Sequence, residues 1–187
     1  KFLRTASVVS GSVGAAAAPF ALNLATLSSA VAQTGGPYKA IVCLFMYGGN
    51  DANPCSLTAP CRSFLAAINK TSIGGEVIVL DSAGYGPVVI NKAVSIVAPP
   101  GVYAGVSVFS GTGIVVNPAS GKVTLRGLTI NALGGSTGID YQSGAKLYID
   151  GTVVTGFSGG APAAGVRAAL AGSGSLVIRN SAFRDST

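Results

Sequence analysis

The sequence predicts an all-β protein, a right-handed parallel β-helix (a solenoid) with a short N-terminal capping helix. Three observations support this. Short runs alternate apolar and polar residues, which is the periodicity of strands. Equivalent runs recur every 24 to 29 residues along most of the chain. Glycine, at 27 of 187 residues, clusters between the runs and supplies turns.

Four stretches carry the repeat: AVSIVA from 93, KVTLRG from 122, KLYIDG from 146 and SLVIRN from 175. Their alignment gives two apolar columns, Val94, Val123, Leu147 and Leu176 in one and Ile96, Leu125, Ile149 and Ile178 in the other. A second register recurs as GIVVN from 113, GIDYQ from 138 and GVRAA from 165. A strand of about five residues cannot bury its apolar side alone, so each is predicted to pair in parallel with its equivalent one coil away. A β-sandwich is the alternative, and its strands need not repeat in register.

The charge of the chain is low and dispersed. Charged residues make up 10% of the sequence, the net charge is +6, and Lys and Arg form no cluster along the chain. A nucleic-acid surface concentrates its cations and interleaves aromatic residues, so no nucleic-acid partner is expected. The chain has no histidine, which excludes Ser-His-Asp and Cys-His catalytic sets.

Residues 1–32 are predicted to be an export signal. Cations stand at Lys1 and Arg4, an Ala-rich stretch follows, and the segment ends in the small-x-small sequence Ala30-Val31-Ala32. A transmembrane helix is the alternative, which the glycines, proline and asparagine of the segment disfavour. The opening KFLR resembles the tail of a twin-arginine export motif, which implies export of a folded protein. The expected location is therefore periplasmic or extracellular in a bacterium, with no membrane span after signal removal.

Residues 33–51 are predicted to be an apolar strand and linker. The run from Ala40 to Tyr47 has the unbroken apolar character of a strand buried on both faces. Together with the signal, residues 1–51 resemble the N-terminus of an exported bacterial family distantly related to sulfatases and alkaline phosphatases. That resemblance implies a metal-binding Asp at position 51. A polar turn is favoured instead, because several ligands must converge on a metal and the family's other motifs are missing.

Residues 52–74 are predicted to cap the solenoid. The stretch APCRSFLAAINK, residues 59–70, suits an amphipathic helix with Phe64, Leu65 and Ile68 on one face and Pro60 in its first turn. In an exported protein, Cys55 and Cys61 favour a disulfide. A metal pair or a redox site is the alternative for these two cysteines.

Residues 75–187 are predicted to form the rungs. From Asp51 onward the chain resembles small secreted β-helix proteins with a pectate-lyase-like fold, on the motifs DANPCSLTAPCRSF, GGEVIVLD, GYGPVVINKAVSI, GTGIVVN and VTLRGLTI. The two resemblances together imply a fusion near Asp51. Members of the second family usually continue further, which implies a truncated C-terminus or an edge covered by another molecule. A homo-oligomer or filament through exposed rung edges is therefore expected.

The repeat alignment also places Arg126, Asp150 and Arg179 in one column next to an apolar one. Alternating charges on neighbouring rungs indicate a structural ladder. The functional alternative is a lyase site, since β-helix polysaccharide lyases use acidic residues to hold calcium and a basic residue to remove a proton. That chemistry requires several carboxylates together, and Asp150 stands between two cations.

Three residues are candidates for contact with a ligand. Asp140 and Tyr141 lie on another face of the predicted coil, and Tyr148 follows shortly along the chain. Exposed tyrosines on a flat β-face can stack on sugar rings, or simply cover strand surface. A glycan is the ligand that the first of these interpretations implies, whereas coverage of the strand surface is the commoner role of single tyrosines.

The predicted function is that of an exported β-helix module with a structural, adhesive or glycan-contacting role. It is predicted to be non-catalytic and to need no metal and no cofactor. A β-helix polysaccharide lyase or hydrolase that acts on acidic glycans is the alternative.

Overall fold

A computed structural model of the chain describes residues 40–43, 49–159 and 163–186, the first of these ranges by its backbone alone. The predicted export signal, residues 1–32, lies outside the described residues, as do most of residues 33–48. No helical segment in the described part of the chain combines the length and apolar character needed to cross a bilayer.

The described residues form strands and one short helix. In chain order the elements are β1 (Ala40–Cys43), α1 (Phe64–Lys70), β2 (Gly75–Val79), β3 (Ala83–Gly84), β4 (Val88–Ile90), β5 (Val94–Val97), β6 (Ala104–Val108), β7 (Thr112–Val116), β8 (Lys122–Arg126), β9 (Leu128–Ala132), β10 (Thr137–Tyr141), β11 (Lys146–Asp150), β12 (Val153–Thr155), β13 (Ala164–Ala168), β14 (Ser175–Arg179) and β15 (Ala182–Arg184).

The strands stack into three sheets. Sheet A has the order β1-β2-β5-β8-β11-β14, sheet B the order β3-β6-β9-β12-β15, and sheet C the order β4-β7-β10-β13. Neighbouring strands in each sheet are parallel. Successive strands of the chain pass from sheet A to B to C and back, so the chain winds through about four turns. This confirms the predicted parallel β-solenoid.

The predicted apolar columns lie in register. Leu125 pairs with Ile96 on one side and Ile149 on the other, and Ile149 pairs with Ile178. The first three side chains are fully buried. Ile178 is 42% exposed, because β14 is the outermost strand of its sheet and no further described rung covers it. The second predicted register is confirmed as well, since Ile139 pairs with Ile114 and with Val166.

The apolar segment around residue 40 joins the same stack. β1 pairs in parallel with β2, from Ala40 opposite Glu76 to Cys43 opposite Val79, and is the first strand of sheet A. The origin of this segment in another family stays a prediction.

Sheets A and B meet at a sharp corner. Gly127 and Gly151, which follow β8 and β11, have φ angles of 72° and 58°. Asn180 holds the equivalent place after β14 with φ 48°. Left-handed backbone at one residue redirects the chain within a two-residue or shorter connection, and glycine adopts it without steric cost.

The capping helix is shorter than predicted and presents a different face. Its N-cap is Ser63, whose hydroxyl accepts a hydrogen bond from the Ala66 N–H, so the helix begins at Phe64 rather than near Pro60. Phe64, Ala67 and Ile68 are buried. Leu65 is 52% exposed, so its predicted place on the buried face is wrong. Positions 64, 67 and 68 follow the i, i+3, i+4 spacing of one helical face, and position 65 is rotated about 100° away from it.

Candidate functional site on the outer face of sheet A

Sheet A carries basic side chains on its outer face, where strands β8, β11 and β14 lie side by side. The buried columns of these strands alternate with outward positions, which form three columns of their own. The outward columns read Lys122, Lys146 and Ser175 first, then Thr124, Tyr148 and Val177, and finally Arg126, Asp150 and Arg179. Four cations thus share a face with one carboxylate, and we refer to these three columns as the basic face.

The predicted Arg–Asp–Arg ladder exists in register, but its contacts are unequal. Arg126 Nε lies 3.2 Å from Asp150 Oδ2. The other carboxylate oxygen accepts a hydrogen bond from Asn180 Nδ2 at 3.0 Å. Arg179 places its guanidinium carbon 5.7 Å from the centre of the Tyr148 ring. The single carboxylate is therefore engaged by Arg126 and Asn180, whereas Arg179 makes a cation–π contact.

The two lysines of the basic face are direct neighbours. Lys122 pairs with Lys146 across adjacent strands, and both are exposed. Like charges directly opposite each other destabilise a sheet, on the scale of other cross-strand pairs, by about 0.2–1 kcal/mol. An anion placed between them removes this repulsion. Tyr148 lies between the lysine column and the Arg–Asp–Arg ladder. Of the three predicted ligand contacts, Tyr148 is the one that is partly accessible to solvent.

The other two predicted ligand contacts are closed off in sheet C. Tyr141 is fully buried, and its hydroxyl donates a hydrogen bond to the Gly144 carbonyl at 2.7 Å. Burial raises the pKa of the Tyr141 hydroxyl. The expectation of an exposed Tyr141 is therefore wrong. Tyr141 is buried because side chains alternate along a strand, and Tyr141 aligns with the buried Val116 on the inner side.

Asp140 points outward but is covered by its own partners. Its carboxylate accepts hydrogen bonds from Arg167 Nε at 2.8 Å and Arg167 Nη2 at 2.6 Å, and from Gln142 Nε2 at 2.7 Å. The hydrogen bonds from Arg167 hold the pKa of Asp140 below its usual value and outweigh the opposing effect of burial. A carboxylate that stays ionised and paired in this way is a structural group rather than a proton donor.

Asp51, where one resemblance implies a metal ligand, organises the cap. Its carboxylate accepts hydrogen bonds from the Arg62 and Ser63 backbone N–H groups and from the Ser63 hydroxyl, each at 2.9 Å. Burial raises the pKa of Asp51, but these hydrogen bonds together outweigh it and the net pKa is lowered. The carboxylate thus fixes the entry to α1, as the polar-turn interpretation predicts.

The predicted disulfide is present between Cys55 and Cys61 in the same loop. Within the described residues, no group of three or more His, Cys, Asp or Glu side chains comes together in a way that suits a metal ion.

Sequence reasoning missed three of the basic side chains that matter here. Lys122 and Lys146 open two of the aligned repeats, KVTLRG and KLYIDG, so their column was visible in the alignment. Arg167 stands third in GVRAA, as Asp140 does in GIDYQ, and the structure pairs these two positions. In each case the signal lies in the aligned repeats, in charged columns beside the apolar ones.

The described residues form a parallel β-solenoid of about four turns with one short helix, and a basic face lies on one of its three sheets. Comparisons with models of protein families, with characterised proteins and with solved structures find no match to the chain.

Proposed function

We propose that this protein is a non-catalytic module that binds an acidic glycan through the basic face of sheet A. The observation that carries the proposal is the in-register pair of exposed lysines, Lys122 and Lys146, beside Arg126 and Arg179 on one flat surface. We also propose that the module is exported and belongs to the pectate-lyase-like group. Its solenoid is proposed to be right-handed, because nearly all connections between parallel strands are right-handed.

The geometry of the solenoid favours a linear polyanion as the ligand. Side chains of one column recur about every 4.8 Å along the axis, so cations of successive rungs form a row rather than a pocket. A chain of uronic acid units carries regularly spaced carboxylates and can follow such a row. Tyr148 lies between the two basic columns and offers an apolar surface to the sugar rings.

The test uses polygalacturonate and alginate against a neutral polysaccharide of similar length. The protein is expected to bind the two acidic polymers, and binding is expected to weaken as salt rises from about 0.05 to about 0.5 M, because exposed charges are then screened. Binding of the acidic polymers that does not weaken as salt rises contradicts the proposal.

Lys122→Glu separates binding from folding. The substitution places an acid opposite Lys146, so the fold is expected to gain roughly 0.5 kcal/mol while the acidic polymer binds less tightly. Arg62→Gln is the control, because Arg62 is exposed in the cap loop and its removal lowers the net charge without touching the basic face. A Lys122→Glu protein that binds as well as the Arg62→Gln protein argues against this face.

The lyase alternative is tested with the same material. Incubation of the acidic polymers with protein and calcium is expected to leave them intact. Release of unsaturated sugars, followed by ultraviolet absorbance, overturns the non-catalytic part of the proposal but not the binding part.

Self-association is a second candidate function, favoured by the last described turn of the solenoid. Ile178 and Phe183 are partly exposed there and line a depression of about 230 Å³ together with Val166. β13, β14 and β15 each form the edge of a sheet among the described strands, and such edges can pair with strands of another copy.

Sedimentation over a range of protein concentrations tests this second role. Reversible association is expected, and Ile178→Lys is expected to weaken it, whereas Leu57→Lys in the cap loop serves as the control. A monomer at every concentration contradicts self-association and leaves glycan binding unaffected.

A further inference from the structure

Tyr103 forms an aromatic surface on a different face of the solenoid. It precedes β6, and the residue is 46% exposed. A Cβ atom built on Gly105 would lie 2.6 Å from Tyr103 Cε1 and 3.0 Å from Cζ. The ring therefore lies directly on the backbone of Gly105, on the outer side of sheet B. One side of the ring packs on the sheet and the remainder is open to solvent.

The position of the ring is fixed at both ends. The Tyr103 N–H donates to the Ser82 hydroxyl at 2.9 Å, and the Tyr103 carbonyl accepts from the Ala83 N–H at 2.9 Å. At the tip, Asn131 Nδ2 donates to the Tyr103 hydroxyl at 3.2 Å. An aromatic side chain held in this way loses little conformational freedom when it binds a ligand.

Uncharged polar side chains extend from the ring along the same face. Ser107, Asn131 and Thr155 pair in register on neighbouring strands, and Thr129 pairs with Gly105 beneath the ring. Among the described residues, the hydroxyls of Ser107, Thr129 and Thr155 make no hydrogen bond to protein. Hydrogen-bonding groups thus surround the exposed ring. The first charged residue in this row is Arg184, on β15.

We propose that Tyr103 and the polar row beside it form a binding subsite for a neutral hexopyranose unit of a polysaccharide. A pyranose ring with equatorial hydroxyls has a flat C–H face that stacks on an aromatic ring, while its rim of hydroxyls needs donors and acceptors. Tyr103 supplies the first of these, and Ser107, Thr129 and Asn131 supply the second. This subsite lies on sheet B, requires no charge on the ligand, and is independent of acidic-glycan binding at the basic face.

The polar groups beside Tyr103 favour a sugar over a proline-rich peptide as the ligand. Proline-rich segments dock in grooves lined by several aromatic side chains. Here the outward neighbours of Tyr103 on β6, β9 and β12 are Ser107, Thr129, Asn131, Thr155 and the apolar Val153. The exposed ring of Phe109 follows only at the end of β6.

An NMR titration of the whole chain with cellohexaose tests the subsite. The expected result is a saturable shift of the Tyr103 ring and of the Gly105, Thr129 and Asn131 amides below about 10 mM ligand. The shift is expected to persist in high salt, which separates it from binding at the basic face. Absence of shifts at these positions, or shifts that disappear with salt, overturns the proposal.

Three variants locate the binding energy. Tyr103→Ala is expected to weaken binding about tenfold or more, since stacking is lost. Tyr103→Phe keeps the ring and is expected to weaken it about threefold or less. Leu57→Ala removes an exposed apolar side chain of the cap loop, away from this row, and is expected to change nothing.

Gly105→Ala tests the position of the ring without removing it. The added methyl group meets the outer end of an exposed side chain, so the fold is retained while the ring is displaced. Weaker binding by a variant that melts like the unchanged protein supports the proposal. Unchanged binding in both Gly105→Ala and Tyr103→Ala contradicts it.

Discussion

Gly138 begins the repeat GIDYQ and lies between Gly113 and Gly165 in the stack, where the strands leave no room for a side chain. A Cβ atom at Gly138 would lie 2.4 Å from the Gly165 carbonyl oxygen and 2.7 Å from Val154 Cγ1. The first of these atoms belongs to the neighbouring backbone, which moves only if the strands separate. Gly138→Ala therefore forces two rungs apart.

The expected cost is about 3 kcal/mol, the upper part of the usual range for overpacking, because the closest contact is with backbone rather than with a side chain. For a chain of this length, that corresponds to a melting temperature lower by roughly 6–12 °C. Thermal and guanidinium unfolding followed by circular dichroism measure both quantities.

Gly84→Ala is the matched control. Gly84 also lies in a strand, its φ is not left-handed, and nothing lies within 4 Å of an added Cβ atom. The control is expected to change stability by about 0.5 kcal/mol or less. If Gly138→Ala and Gly84→Ala have the same melting temperature, strands β10 and β13 do not approach each other as closely as described.

Three further predictions test the core, an ion pair and the cap. Leu125→Ala is expected to cost about 2–5 kcal/mol, because it leaves a cavity in the stacked interior, whereas Leu65→Ala on the exposed side of α1 is expected to cost little; urea unfolding compares them. The folded-state pKa of Asp140 is below its ordinary value of 3.8, so its ionised form stabilises the fold above that pH and this contribution is lost as pH falls through the folded-state pKa. The melting temperature of Asp140→Asn is therefore expected to depend less on pH below pH 4 than that of the unchanged protein. At neutral pH the substitution is expected to lower the free energy of unfolding by about 1 kcal/mol, a modest amount because its partner Arg167 is partly exposed. Reduction of the Cys55–Cys61 disulfide is expected to lower stability by about 2 kcal/mol, and a melting point unaffected by reductant contradicts this stabilising contribution.

Much of the solenoid was predictable because its physics is local and repeated. Leu125, Ile149 and their equivalents alternate with polar residues at a period that matches strands, and the same pattern returns once per turn. A parallel stack is the arrangement that buries all of these short apolar runs at once. The register then followed from alignment alone, and the structure confirms it.

The errors arose where burial depends on neighbours outside the local pattern. Leu65 is apolar like Phe64, yet the N-cap at Ser63 fixes a rotation of the helix that leaves it exposed. An exposed position was expected for Tyr141 because of its polar hydroxyl. Its alignment with Val116 places the side chain on the inner side of the strand instead.

The candidate sites were only partly predictable for the same reason. The ladder of Arg126 and Asp150 could be read from the alignment, but the preference of Arg179 for the Tyr148 ring depends on side-chain conformation. Tyr103 stands outside every aligned repeat, and its place over Gly105 depends on how the connection before β6 folds back. Sequence periodicity carries no information on either contact.

Equivalent aliphatic side chains of successive turns pack against one another inside the solenoid, and this packing defines the fold. Methyl NOE spectroscopy on protein labelled at isoleucine and leucine methyl groups tests it most directly. Contacts are expected from Leu125 to both Ile96 and Ile149, and none between those two isoleucines, which lie two strands apart. Contacts from Leu125 to neither isoleucine, or the close Hα–Hα contacts of antiparallel strands, would contradict it.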